Sequence, residues 1–330
     1  MTDAVKIQPK IHLAPMEGVV DFHMRRMMTE IGGYDQCVTE FLRVTNNIYP
    51  DRVFQANCPE LLNNSETDAG IPTFLQLLGG NPEMLAKNAI RAAALGACGI
   101  DLNFGCPAKT VNKHDGGASL LQYPHRVYDI VSAVREAVPD EIPVSAKIRL
   151  GFADKELALE NAKAVEEAGA YRLTIHARTK MEGYKPPAHW EWIGKIREHV
   201  DLPLIANGEI WTIDDFHRCR ELSGVNDVMI GRGAISQPDL ANLIKLSCKA
   251  EAGEPMDWPE LLVLIQRFFS MSLNDTKKET YAVSRLKQWT KQLARNYPEA
   301  DACFTAFRKY RTADEVRQVI FQPASSFGNQ

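Results

Sequence analysis

Asp101-Leu102-Asn103-Phe104-Gly105-Cys106-Pro107 begins as a strand and ends as a turn. Cys98-Gly99-Ile100 leads into alternating apolar and polar residues, the period of a strand with one face in a core. Gly105 breaks the run, and Pro107 stiffens the turn beyond it. The Cys106 thiol is thereby left at the mouth of a strand. Asn103, just upstream, carries an amide that both donates and accepts, the chemistry needed to hold an imide or amide edge. A lone cysteine here also fits a buried structural thiol, and the strand's neighbours decide between the two.

Working outward, eight short strand-like runs recur: Ile11–Pro15, Gln36–Phe41, Thr73–Leu78, Ile100–Asn103, Val144–Leu150, Arg172–His176, Leu204–Ala206 and Asp227–Ile230. Amphipathic stretches lie between them, among them Asn81–Leu95, Val127–Val138, Lys155–Ala168, Trp190–His199, Ile213–Leu222 and Pro238–Cys248. Asn81-Pro82 and Asp154 read as helix starts, Gly96 and Gly169 as helix stops. Strands alternating with helices imply an α/β fold with a parallel sheet. Eight such units in about 250 residues match a closed (β/α)8 TIM barrel. An open doubly wound sheet is the alternative, but no Gly-x-Gly-x-x-Gly follows the first strand.

The 330 residues are 45% hydrophobic and 24% charged, ordinary for a soluble globular chain. The longest apolar runs are far shorter than a membrane span, and Met1–Lys6 carry no secretory h-region. The seven cysteines are odd in number, widely spaced and without a Cys-x-x-Cys pair, against a disulfide framework or thiolate zinc site and in keeping with a cytoplasmic location. No metal spacing and no Ser-His-Asp order stands out. Net charge is −4, but residues 255–330 hold 11 Lys+Arg against 8 Asp+Glu, leaving a tail of +3 on a body of −7. That sign suits a basic module on an acidic enzyme body.

A barrel places its chemistry at the C-terminal ends of its strands. Those ends read Pro15-Met16-Glu17-Gly18, Thr39-Glu40-Phe41, Gln76, Asn103 with Cys106, Lys147 with Arg149, His176 with Arg178-Thr179-Lys180, Asn207-Gly208-Glu209 and Gly231-Arg232-Gly233. The last two follow strands seven and eight, where barrels commonly bind phosphate; glycines admit an anion closely and Arg232 adds a fork of donors. Lys147, between apolar Ala146 and Ile148, points into the ring. His176 is either a core histidine or a ligand contact, with its place at the rim favouring contact. His114-Asp115-Gly116-Gly117-Ala118 reads equally as a mobile cover and as a connector.

From Pro255 the chain reads as helices over Pro259–Asn274, Lys278–Asn296, Glu299–Tyr310 and Ala313–Phe321, after a linker at Ala250–Glu254 and before a frayed end from Pro323. The expected division is a barrel domain over 1–252 and a small all-helical domain over 253–330. Leu286, Trp289 and Leu293 share an apolar face, while Lys287, Lys291 and Arg295 stack at four-residue spacing. Such a row is either a solvated face or a ridge that holds a polyanion at the barrel mouth.

Taken in order, Ala14-Pro15-Met16-Glu17-Gly18, Asn103-x-Gly-Cys106-Pro, Lys147-x-Arg149, His176-x-Arg178-Thr179, Ala206-Asn207-Gly208-Glu209 and Gly231-Arg232-Gly233 resemble the tRNA-dihydrouridine synthases. Glu17-Gly18-Val19-Val20-Asp21, Thr39-Glu40-Phe41-x-Arg43 and Arg285-Leu-Lys287-Gln288-Trp289 are similar to the bacterial C-type branch, associated with the uridine at tRNA position 16. The resemblance implies an FMN-dependent barrel enzyme with NADPH as reductant, tRNA as partner, no metal, and a monomer. It assigns flavin contacts to Pro15, Met16, Glu17, Gln76, Lys147, His176, Asn207, Gly208, Glu209, Gly231 and Arg232. Asn103, Arg149 and Tyr184 would hold the target uridine, and Arg43, Arg285 and Lys287 would orient the tRNA. Hydride would add to uracil C6 and Cys106 would protonate C5, a role a largely protonated thiol suits. Rival readings are a dihydroorotate-dehydrogenase-like flavin barrel acting on a small molecule, a Schiff-base lyase using Lys147, and a non-catalytic tRNA-binding barrel. The helical tail argues against the first.

Overall fold

The computed structural model describes residues 8–275 and 278–327; the amino-terminal segment read above for a leader lies outside them. Eight parallel strands close a barrel: β1 Ile11–Leu13, β2 Gln36–Val38, β3 Thr73–Leu78, β4 Ile100–Phe104, β5 Val144–Arg149, β6 Arg172–His176, β7 Leu204–Asn207 and β8 Asp227–Ile230. Each strand pairs with the next, and β8 returns to β1 with Leu13 opposite Ile230. The open-sheet alternative is thereby excluded. A two-residue strand not anticipated, Leu42–Arg43, pairs with the end of β3.

The two-residue period decides what each strand shows to each side. On β4 and β5, Ile100, Leu102, Phe104, Val144, Ala146 and Ile148 are fully buried in the apolar shell shared with the helices. Burying each large side chain there contributes roughly 1.5–3 kcal/mol. The alternate residues, Asp101, Asn103, Ser145, Lys147 and Arg149, face the barrel interior. Apolar filling inside is a small cluster of Ala14, Val38, Phe74, Ile205 and Met229. A one-residue slip of β5 would drive Lys147 and Arg149 into the apolar shell, so register is strongly fixed.

Helices begin and end largely where the local chemistry indicates. The Asn81 side chain accepts from the Met84 amide at 3.1 Å to cap Pro82–Ala94. Gly96 and Gly169 adopt φ +89° and +78° beyond their helices, a backbone that glycine takes without strain. Asp154 is a correction: it accepts from the Glu156 amide in a local turn, and the helix starts later, at Ala158. The two readings of His114–Ala118 also separate, because Gly116, Gly117 and Ala118 are buried and the Ala118 amide donates to Cys106 O at 3.1 Å. Gly116–Ala118 thus pack beneath the Cys106 loop as a connector does, while His114 and Asp115 are exposed.

The tail forms helices Trp258–Asp275, Glu279–Leu293, Pro298–Phe307 and Ala313–Ile320. Leu286, Trp289 and Leu293 are buried as one face of the second helix. Trp289 packs edge-on against Phe268 at 5.0 Å, and its Nε1 donates to Ile235 O at 3.1 Å. Of the segment read as frayed, Ala324–Phe327 forms a short 3-10 helix with Phe327 7% exposed and packed on Trp258, and residues 328–330 lie outside the described residues. The expected division at 252/253 falls in the connection between the helices ending at Cys248 and starting at Trp258, and we propose it as the domain boundary. Among the described residues no helix is long and apolar enough to cross a membrane.

Candidate active site

A cavity of about 660 Å³ opens at the C-terminal ends of the strands, within the size range of cofactor sites. Its wall brings together Pro15, Met16 and Glu17 after β1, Gln76 of β3, and Asn103 and Cys106 from β4 and its loop. Lys147 and Arg149 of β5, His176 of β6, and Tyr184 join them. Asn207, Gly208 and Glu209 after β7 and Gly231 and Arg232 after β8 close the ring. From the helical tail come Lys291, Gln292 and Arg295.

Cys106 is half-buried, and burial pushes its thiol pKa up, so it holds its proton at neutral pH. Its loop is fastened from several sides. Asn103 Oδ1 accepts from the Gly105 and Cys106 amides at 2.9 and 3.0 Å. Cys106 O accepts from Asn112 Nδ2 at 2.8 Å. Asn103 Nδ2 donates to Gln76 Oε1 at 2.8 Å, and Gln76 Nε2 donates to Asp101 Oδ2 at 2.7 Å. The polar atoms of Asn103 and Gln76 are therefore largely committed to one another, to the loop amides and to Asp101, although both side chains still line the cavity.

Lys147 Nζ donates to Asn207 Oδ1 at 3.0 Å. Desolvation, reinforced by the Arg149 charge, lowers its pKa to about 8. Burial, with the charges of Arg149 and Lys147, holds His176 well below its ordinary range, so the ring is neutral. Gly208 takes φ +116°, and a Cβ there would lie 2.7 Å from His176 Cδ2; only glycine leaves the imidazole its place. Arg149 is buried, its Nε and Nη1 donating to the carbonyls of Gly105, Thr179 and Gly183 at 2.8–3.1 Å. Its guanidinium also sits 5.2 Å from the ring of Tyr184.

Glu209 has a left-handed backbone, φ +59°. Burial alone would raise its carboxyl pKa, but hydrogen bonds from Arg178 and Trp211 prevail and lower it. Arg232 lies 3.7 Å from that carboxylate and also stacks over Tyr184 and Trp211 at 4.8 and 5.0 Å. Glu209 therefore orients Arg232 and Arg178, and does not itself suit an anion.

Three expected residues lie off the cavity. Arg285 is 4% exposed, with Nε on Asp21 at 2.9 Å and its Nη atoms on Gly18 O, Val19 O and Gln288. These bonds fasten the loop after β1 to the helical tail. Lys287, which does not line the cavity, donates through Nζ to Tyr310 O. Arg43 is half-buried outside the cavity but within electrostatic range of Cys106. Among the described residues nothing engages its guanidinium. Trp211 was missed entirely, although Arg295 stacks on it at 3.9 Å and ties the tail to the barrel rim.

The dihydrouridine synthase (Dus) family model matches residues 12–322. A tRNA-dihydrouridine(16) synthase from Shewanella oneidensis is 51% identical over 313 residues, 95% of this chain and 98% of that protein. One from Neisseria meningitidis serogroup A is 46% identical over 327 residues, 97% of each. Among solved structures, histamine dehydrogenase from Rhizobium sp. 4-9 superposes with a TM-score of 0.56 at 14% identity, over 83% of this chain and 51% of that one. That likeness concerns the barrel fold alone.

Proposed function

The chain belongs to the dihydrouridine synthase family, and on that premise we propose that it reduces a tRNA uridine, at position 16, to 5,6-dihydrouridine, with FMN as bound cofactor and NADPH as reductant. The observation that carries the reading is one cavity lined by a protonated thiol, a desolvated lysine and basic residues of a helical tail.

The residues present fit a flavin mononucleotide. Gly208 and Gly231 leave open a wall that a Cβ would crowd against His176 and Met16, and Arg232 offers a phosphate its donors. Pro15, Met16, Gln76, Lys147, His176, Asn207 and Gly208 would hold the remainder. When bound and reduced, FMN supplies the hydride that adds to uracil C6.

The chain's own residues do the rest. Cys106 keeps a proton at neutral pH and gives it to C5 as general acid. Lys147, still charged below its pKa of about 8, stabilises negative charge beside it. Neutral His176 offers a hydrogen bond without adding to the positive charge of Lys147, Arg149 and Arg232. Tyr184, 52% exposed at the cavity edge, gives an extruded base a ring to stack on. Lys291 and Arg295 meet the surrounding phosphates, which offsets the unstacking of the target nucleotide.

Cys106→Ala tests the assignment. The variant is expected to bind FMN and tRNA as the parent does while dihydrouridine formation falls about 100-fold or more. Parent-level turnover would remove Cys106 as the proton donor.

A further inference from the structure

We propose that Asp101, 2% exposed and outside the cavity, is a positioning residue that sets the loop of the proton donor through a one-way relay of side-chain amides. The inference rests on the reading of Cys106 as general acid given above. The relay is continuous: Ser145 Oγ donates to Asp101 Oδ1 at 2.6 Å, and Asp101 Oδ2 accepts from Gln76 Nε2 at 2.7 Å. Gln76 Oε1 then accepts from Asn103 Nδ2 at 2.8 Å, and Asn103 Oδ1 accepts from the Gly105 and Cys106 amides.

Each amide has one donor end and one acceptor end, so fixing one end fixes the other. Asp101 offers Gln76 an acceptor, which turns Gln76 Oε1 toward Asn103. That in turn aims Asn103 Oδ1 at the two loop amides. The loop demands the same polarity from its own side, because two backbone donors need an acceptor. A reversed Asn103 would set Nδ2 against two N–H groups in a largely buried site, and such unmet donors are costly. A second consequence concerns the cavity. Gln76 and Asn103 both line it, and each amide nitrogen has a second hydrogen. Gln76 is fully buried, so the N–H open to the cavity is that of the partly buried Asn103, suited to a carbonyl oxygen.

The acceptor at position 101 matters here more than its charge. In Asp101→Asn, the new Oδ1 can take Gln76 while Nδ2 donates to Ser145 Oγ, and the relay keeps its direction. Asp101→Leu keeps the branched shape, is bulkier, and has no acceptor. Removing Ser145 as well as the carboxylate leaves the substituted amide free to turn and break the relay.

The test uses FMN-loaded full-length protein and compares D101L, D101N and D101N/S145A. Steady-state tRNA reduction is measured beside the pH dependence of Cys106 alkylation by iodoacetamide, mapped by mass spectrometry. D101L is expected to lower kcat about 30-fold with KM for tRNA within about 3-fold, and to shift the Cys106 alkylation rate about 10-fold. D101N should stay within about 3-fold of the parent on each measure, and D101N/S145A should lose about as much as D101L. Parent-like D101L, or D101N as impaired as D101L, would overturn the relay. If D101L does not fold, D101N/S145A decides, and behaviour equal to D101N alone would overturn it. Alkylation needs no tRNA, so it judges the relay even if the parent protein makes no dihydrouridine, a result that would instead defeat the function proposed.

Discussion

Replacing Arg285 by Met separates a structural guanidinium from an RNA-facing one. The side chain is 5% exposed and its partner Asp21 15%, so solvent does little to compensate for the loss. Breaking a buried ion pair from one side costs about 3–5 kcal/mol. Asp21 keeps its cap bond from the Met24 amide at 3.0 Å, which favours the low end, about 3 kcal/mol. With an unfolding entropy of about 2 cal/mol/K per residue, a chain of this length should melt about 4 °C lower. Urea unfolding followed by circular dichroism reads the same loss as a lower midpoint at unchanged slope. Adding Asp21→Asn should recover part of it, because no uncompensated carboxylate then remains. An R285M protein that unfolds with the parent while binding tRNA less well would refute the reasoning and put the guanidinium back on the RNA.

The same geometry predicts the behaviour of other variants. Gly208→Ala, with its Cβ 2.7 Å from His176 at φ +116°, should weaken FMN binding at least 10-fold by displacing the imidazole, read by fluorescence titration. Reduction rate should fall as pH rises through about 8, where Lys147 loses its proton, while the raised Cys106 thiol remains protonated; Lys147→Met should abolish that limb. Lys291→Glu with Arg295→Glu should weaken tRNA binding and flatten its salt dependence by about two counterions. Glu40, raised to about 7 by burial and by Glu17 and Asp21, favours its neutral form in the fold. Its stabilisation is full below the unfolded carboxylate range and disappears as pH rises through 7. Glu40→Gln should therefore gain about 2 kcal/mol over the parent at pH 8 and little at pH 5, measured by denaturant titration.

The barrel was legible because strand and helix periods alternate eight times with capping residues between. The rim was legible because polar residues gather where each strand run stops. What escaped depends on distance along the chain. Nothing local marks Arg285 as the fastener of the first loop, since its partner Asp21 lies 264 residues away. Asp101 reads as one more polar position in an alternating strand until β3 and β5 bring Gln76 and Ser145 against it. Trp211 carries no motif, and its meaning comes from Arg295 of a helix far along the sequence. Asp154 failed for a different reason: an aspartate serves a local turn as readily as a helix start.

The account is tested most directly by incubating the purified protein with FMN, NADPH and unmodified tRNA, then mapping the product by nuclease digestion and mass spectrometry. One D-loop uridine, at position 16, should gain the mass of two hydrogens with parent protein and remain uridine with Cys106→Ala. Unchanged tRNA under both proteins, or equal reduction by both, would contradict it.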